Sequence, residues 1–239
     1  MTEPPNILDV LTEYVEEVKT DFLPYATAGT GIALVMLPYS MVVVFIVYGA
    51  MFVGAMPGIA MEDENVLILG MITAPFLAIF ASSFVLNLIT IPMHASLLRD
   101  LSAHQEREPG TPTGLGFASC FSTVTQEPAR PLFYTAVHVV LYGVLAMFCL
   151  FPGLVFLVVT DLAWPLVVVD GLSPLDAMKR AAAHFRDHVA WHLGYTLILF
   201  SMAFVLAYIP FIGAFLTPGL VGGWRLWAYR RIRQDLLAA

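Results

Sequence analysis

One carboxylate, Asp161, falls near the middle of a long apolar run of this sequence. An ionised side chain at that depth of a bilayer is costly unless it is paired or hydrated, so it indicates a functional site. The chemistry open to it is binding of an ion, a proton or a polar substrate. Two alternatives stay open: a structural carboxylate that accepts hydrogen bonds beside Trp164-Pro165, and a shallower position in the membrane.

Two further polar side chains, His138 and Asn87, lie in apolar runs. Counting helical rise from the turn at Pro152 places His138 about 21 Å deep and Asp161 about 14 Å deep, so direct pairing requires tilt or water. An asparagine in such a run is typical of hydrogen bonding between helices. Asp161, His138 and Asn87 are the candidate ligand-binding residues.

The histidines His184, His188 and His192 recur at a spacing of four, which suits a metal site or a pH-sensitive stripe on one helix face. No acidic or thiol co-ligand accompanies them, and Cys120 and Cys149 lack metal-ligand spacing. The sequence also has no nucleophile elbow, phosphate loop or zincin motif. We therefore predict no metal, no cofactor and no enzymatic activity.

The composition defines the class of protein. Of 239 residues, 59% are hydrophobic and 12% are charged, and the mean hydropathy is +0.81. Soluble domains average roughly 45–50% apolar and about 25% charged residues, so too few polar side chains are present here to cover a water-facing surface. The lipid bilayer is the expected solvent. The net charge of -7 argues against nucleic acid as a partner.

The apolar runs predict an all-α membrane protein with six transmembrane helices arranged as three hairpins, in a single integral membrane domain over residues 1–239. Breaks are expected at Met56-Pro57-Gly58 and Phe151-Pro152-Gly153, and a kinked extension past Pro92. The Gly219-x-x-x-Gly223 spacing permits close helix packing. The predicted spans are residues 30–54, 66–90, 132–150, 153–169, 190–208 and 211–229.

Each hairpin is preceded by an amphipathic stretch that we predict to lie along the membrane surface. Asn6 can cap the first stretch, and Ser173 the third. The stretches are residues 6–22, 115–128 and 173–188. The junctions that follow them look alike: Asp21-Phe-Leu-Pro-Tyr25, Arg130-Pro-Leu-Phe-Tyr134 and His188-Val-Ala-Trp-His192. This layout suggests a threefold repeat, although interfacial helices also precede spans without any duplication.

The cationic residues indicate the orientation. With six spans, all 11 lysines and arginines fall on the side of the two termini, and the opposite loops hold only acidic charge at Glu62-Asp63-Glu64. Positively charged loops stay in the cytoplasm. We therefore predict a multi-pass protein of the inner (plasma) membrane with both termini cytoplasmic.

The run from Pro165 to Arg180, PLVVVDGLSPLDAMKR, resembles a pattern in several prokaryotic polytopic membrane families. These are families of unknown function and the membrane domain attached to some glycerophosphoryl diester phosphodiesterases. The similarity covers roughly residues 150–230 and implies a six-helix membrane module with no established chemistry. No phosphodiesterase catalytic domain is present, so that activity is not implied.

Basic side chains on the helix predicted over 173–188 form a candidate interaction surface, made of Lys179, Arg180 and Arg186. Asp176 and Arg180 are correctly ordered for an (i, i+4) ion pair. Together with the polar loop 99–114, this surface suits a membrane or cytoplasmic protein partner.

The leading hypothesis is therefore a non-enzymatic interaction or scaffold module embedded in the membrane. A small transporter or channel that uses Asp161, and a lipid-handling protein, are the alternatives. Formation of a homo-oligomer stays open.

Overall fold

The computed structural model describes residues 4–107, 115–148, 150–209 and 212–238, and within these ranges it is all-α, with no strand. A 3-10 helix covers Phe117–Cys120. The α-helices of the described ranges are α1 (Ile7–Thr20), α2 (Phe22–Ala28), α3 (Thr30–Met61), α4 (Glu64–Gln105), α5 (Ala129–Phe148), α6 (Leu150–Thr160), α7 (Ala163–Val168), α8 (Pro174–Asp187), α9 (Val189–Ala207) and α10 (Ile212–Ala238).

The chain divides into two compact units. One consists of Met1–Ile32 with Ile91–Ala239, and the other is Ala33–Thr90. Helices α3 and α4 contribute residues to both units.

The smaller unit is a pair of long helices in close contact. A Cβ built on Gly54 would lie 2.2 Å from the carbonyl oxygen of Gly70, so only glycine permits this approach. The predicted break at Met56-Pro57-Gly58 is wrong, because α3 continues through Pro57 to Met61. Proline removes only one hydrogen bond from the helix. The turn comes later, at Glu62, whose φ is 54°.

Two described helical segments are long and apolar enough to cross a bilayer: Phe22–Met61 and Val189–Ala207. The first part of α4, Glu64–Ile79, is also apolar. These segments support a membrane protein, while the six-span topology stays a prediction.

Helix α4 is one continuous helix that extends past Pro92, as expected, and ends at Gln105. The polar loop predicted over 99–114 is therefore helical in its first part, and residues 108–114 lie outside the described ranges.

The core of the larger unit is organised around α10, which carries the buried side chains of Trp224, Tyr229 and Ile232. The helix is longer than the predicted span 211–229, so the arginines after that span lie on the helix. Helix α10 packs against α1, α2, α8 and α9, and Ile232 and Leu236 in its last turns are buried. Such tertiary packing stabilises a helix beyond its apolar run.

The predicted close packing at Gly219 and Gly223 is confirmed, and the partner is α2. A Cβ on Gly219 would lie 1.9 Å from the carbonyl oxygen of Tyr25. A Cβ on Gly223 would lie 2.7 Å from the Tyr25 ring and 2.8 Å from the hydroxyl of Tyr14. Gly219 therefore lets α10 approach the backbone of α2. Gly223 leaves room for the side chains of Tyr25 on α2 and Tyr14 on α1.

The single helix predicted over 153–169 is wrong, because α6 and α7 are separated by a turn at Asp161-Leu162. Pro165 has no N–H to donate to the Asp161 carbonyl, which instead accepts from Trp164 N at 3.3 Å. The break expected at Phe151-Pro152-Gly153 is wrong, because these three residues lie inside α6. Residue 149, between the bounds of α5 and α6, lies outside the described ranges.

The first and third amphipathic helices are confirmed as α1 and α8, with the expected caps. Leu8 N donates to Asn6 Oδ1 at 3.0 Å, and Asp176 N donates to Ser173 Oγ at 3.2 Å.

The amphipathic helix predicted over 115–128 is wrong, because only Phe117–Cys120 is helical and turns follow. Side chains from α4 take up its backbone groups. Ser96 Oγ accepts from Thr123 N at 3.0 Å, and Arg99 Nη1 donates to the carbonyl of Gln126 at 3.0 Å. Such bonds compete with helix formation.

Two of the junctions that look alike in sequence also share a backbone conformation. Asp21, between α1 and α2, has φ and ψ of −131° and 46°, and His188, between α8 and α9, has −135° and 47°. Four residues after each junction's first residue lies a buried ring, at Tyr25, Tyr134 and His192.

Candidate functional site

Asp161 forms an ion pair with Arg225. Arg225 Nη2 donates to Asp161 Oδ1 at 2.8 Å and Arg225 Nε donates to Oδ2 at 3.1 Å. The Tyr195 hydroxyl donates to the same Oδ2 at 2.5 Å. A bidentate guanidinium with a third donor is a strong way to satisfy a carboxylate. The cluster joins the turn between α6 and α7 to α9 and α10.

This pair is largely removed from solvent, since the side chains of Arg225 and Asp161 are 25% and 23% exposed. The helix break at Asp161-Leu162 places the carboxylate beside the two long helices. Each charge therefore neutralises the other, which lowers the cost of placing both in apolar surroundings.

Aromatic rings fix the position of Tyr195. Its ring stacks on Trp191 at 5.8 Å and on Trp224 at 6.0 Å between centroids. Trp224 Nε1 also donates to the backbone carbonyl of Tyr195 at 3.5 Å. The hydroxyl that reaches Asp161 is thus held by rigid neighbours.

The structure brings His138 to the neighbourhood of Asp161 but not into a hydrogen bond with it. His138 Nδ1 lies 3.2 Å from the Tyr134 hydroxyl and 3.4 Å from Thr160 Oγ1. Tyr134 also donates to the Thr160 carbonyl at 3.0 Å. The side chain of the third candidate, Asn87, lies outside the described part of the chain.

Sequence reasoning missed Arg225 and Tyr195 as partners of Asp161. The sequence does indicate a role for the arginine, because Arg225 falls inside the predicted span 211–229. A cation inside a span is costly without a nearby anion, so its position predicts an acidic partner. Nothing in the sequence marked Tyr195 among the other aromatic residues of α9.

The candidate interaction surface on α8 is partly engaged within the chain. Arg180 donates to the carbonyl of Leu237, and Arg186 pairs with Asp187 at 2.9 Å. The predicted Asp176–Arg180 pair is wrong, because Asp176 Oδ2 accepts from Ser173 Oγ at 2.6 Å and Arg180 turns to the end of α10. Lys179 is exposed and forms no bond to any described residue.

The three histidines converge although the helix breaks at His188. His184 Nδ1 and His192 Nε2 lie 2.9 Å apart, and the His188 ring centroid is 4.7 Å from that of His184. His184 and His192 are fully buried. Among the described residues, no group of three or more His, Cys, Asp or Glu side chains has a geometry that would hold a metal ion.

The buried His184 predicts a pH dependence of stability. Burial, and secondarily the charge of His188, lowers its pKa to about 4, against an ordinary value of about 6.5. The unfolded chain therefore binds the proton first as the pH falls. The stabilisation is complete above about pH 6.5 and is lost progressively toward pH 4. The unfolding temperature should fall between pH 7 and pH 5.

His184→Gln is the matched test, because glutamine hydrogen-bonds but does not titrate in this range. The variant should lose less stability than the parent when the pH is lowered from 7 to 5. Parallel pH profiles for the two chains would contradict this role of His184.

Comparisons with protein-family models, curated proteins and solved structures found no match for this chain. The resemblance of residues 150–230 to prokaryotic membrane families therefore stays a prediction.

Proposed function

We propose that this chain is a six-span protein of the inner membrane, with both termini in the cytoplasm, that works as a non-enzymatic interaction module. Three features support the proposal. The composition requires an apolar solvent, and two helical segments are long and apolar enough to span a bilayer. The lysines and arginines other than Arg225, which lies inside the sixth predicted span, fall on one side of the six spans.

The observation that carries the proposal is the internal pairing of Asp161. Its two carboxylate oxygens are engaged by Arg225 and Tyr195. A carboxylate in such a bidentate pair holds helices together and is not available to a passing ion. Asp161 therefore has a structural role inside the membrane in this proposal, and the chain recognises its protein partner at the cytoplasmic surface.

Helix α8 is the recognition element of this proposal. It buries Ala177, Ala181 and His184 and leaves Lys179 exposed on the other side. Leu175 is also exposed on it. An unpaired cation beside an apolar side chain suits an acidic, amphipathic segment of a protein partner.

Replacement of Lys179 by a photo-crosslinking residue should capture one defined partner in native membranes, identified by mass spectrometry. The same residue placed at Lys19 is the control, because Lys19 is equally a cytoplasmic cation of an amphipathic helix but pairs with Glu16 at 2.6 Å. In a competition experiment, an added Lys179→Glu copy should fail to displace the partner. Identical crosslinks at both positions would contradict the proposal.

The second candidate function is a small transporter or channel that uses Asp161. The discontinuity between α6 and α7 favours it, because broken helices frame binding sites in many transporters. A transporter requires that Asp161→Asn abolish transport at unchanged stability. The interaction module requires that the same substitution lower the stability of the chain.

Lipid handling is the third candidate. An apolar cavity of about 440 Å³ lies between α1 and helices α9 and α10. Its lining includes Leu11, Val15, Met202 and Leu220. A cavity of this character suits an acyl chain.

A further inference from the structure

A separate, polar cavity of about 310 Å³ lies against the C-terminal half of α10. It is lined by Gln105, Trp227, Arg230 and Arg231. None of these residues belongs to the Asp161 cluster or to the surface on α8. The cavity therefore needs its own explanation.

Two buried polar atoms of the lining side chains have no hydrogen-bond partner among the described residues: Trp227 Nε1 and Gln105 Oε1. The amide orientation of Gln105 is defined, because its Nε2 donates to the Tyr25 hydroxyl at 3.2 Å and to the Gly223 carbonyl at 3.3 Å. A buried donor and a buried acceptor without partners are expensive, and a ligand that enters between these side chains would satisfy both.

The cavity also contains an uncommitted cation. Arg230 is half-buried and forms no hydrogen bond or ion pair with any described residue, although Glu106 attracts it. Arg231 is engaged differently, since it pairs with Glu13 and lies over the Trp227 ring at 5.5 Å. The guanidinium of Arg230 is thus the group left to bind an anion.

We propose that this cavity binds the phosphate of an anionic lipid whose headgroup carries free hydroxyl groups, such as a glycerol phosphate. Arg230 and the Trp227 N–H bind phosphate oxygens, because a guanidinium fork matches phosphate geometry. Gln105 Oε1 accepts a hydrogen bond from a headgroup hydroxyl. A zwitterionic choline headgroup offers no hydroxyl donor and brings a second cation close to Arg230.

The location favours a lipid over a soluble phosphate ester. In the proposed topology, Arg230 follows the last span at the cytoplasmic interface, where basic pockets bind anionic headgroups. The Tyr14 ring lies 6.2 Å from the Trp227 ring, and Tyr14 also lines the apolar cavity of about 440 Å³. Tyr14 therefore lines the apolar cavity and packs against Trp227, which lines the polar cavity.

The test uses the full chain in nanodiscs or mild detergent and native mass spectrometry with added phosphatidylglycerol, phosphatidic acid or phosphatidylcholine. Phosphatidylglycerol should be retained most strongly, phosphatidic acid less and phosphatidylcholine least. Arg230→Gln should weaken phosphatidylglycerol binding about tenfold, and Trp227→Phe, which removes the N–H donor but keeps a smaller aromatic ring, about fivefold. Arg130→Gln, which removes an exposed cation at the start of α5, should leave binding unchanged.

Equal retention of the three lipids, or parent-like binding by both Arg230→Gln and Trp227→Phe, would overturn the site. Displacement of the lipid by millimolar glycerol 3-phosphate would overturn the lipid as its source and assign a soluble phosphate ester. The inference rests on the proposed membrane location, which alkaline carbonate extraction of the same membranes tests separately. A chain that resists extraction but shows no lipid selectivity would refute the site alone.

Discussion

Asp161→Asn is expected to lower the free energy of unfolding by about 3 kcal/mol, because it leaves the Arg225 guanidinium in apolar surroundings without its counter-charge. The Tyr195 hydroxyl also loses its charged acceptor. The side chains of Asp161 and Arg225 are each about three-quarters removed from solvent, so water replaces the lost hydrogen bonds poorly. Reversible unfolding of the purified chain in mixed detergent micelles measures the change.

The double variant Asp161→Asn with Arg225→Gln separates a structural role from a functional one. Removal of both charges leaves no unpaired ion, so the double variant should recover most of the stability that either single variant loses. Glu16→Gln, in the exposed pair with Lys19, is the control and should change stability little. If Asp161→Asn unfolds like the parent while flux of an ion or small solute is abolished, Asp161 is a transport residue.

The elements that could be predicted from the sequence are those specified by neighbouring residues. The bounds of α1 and α8 follow from the caps Asn6 and Ser173 together with helical periodicity. Helix α9 agrees with the predicted span to within one residue at each end, because a long apolar run has no competing local structure.

The features that escaped prediction depend on contacts between distant residues. Arg225 is 64 residues from Asp161, and its pairing becomes visible only when α10 packs beside the α6–α7 turn. The segment 115–128 has a helical pattern of apolar residues, yet Ser96 and Arg99 of α4 bind its backbone and hold it in turns. In both cases tertiary contacts outweigh the local signal.

The polar cavity at Arg230 shows a third limit of sequence reasoning. From the sequence, its arginines indicate only the orientation of the chain in the membrane. Their different roles, Arg231 paired with Glu13 and Arg230 uncommitted, depend on where α1 lies against α10.

Gly219→Ala is expected to destabilise the larger unit strongly. The added Cβ would lie 1.9 Å from the Tyr25 carbonyl oxygen, which is backbone and cannot rotate away. Helices α2 and α10 must therefore separate. The contacts of Tyr14 and Tyr25 with Gly223, and the hydrogen bond from the Tyr14 hydroxyl to the Leu220 carbonyl, are then lost. Overpacking of this kind costs about 1–3 kcal/mol or more. Unfolding in mixed micelles and protease resistance of the α1–α2 segment measure the effect.

Gly222→Ala is the matched control, since it makes the same substitution in the same helix. Its Cβ would lie 3.5 Å from Leu101 Cδ1, an ordinary van der Waals contact. Alanine is favoured over glycine inside a helix by roughly 0.5–1 kcal/mol, so this variant should be as stable as the parent or slightly more stable. Equal losses for Gly219→Ala and Gly222→Ala would refute the tight α2–α10 contact. A loss confined to Gly219→Ala would identify that contact as the one that fixes α1 and α2 against α10, and with them the position of Glu13 beside Arg231.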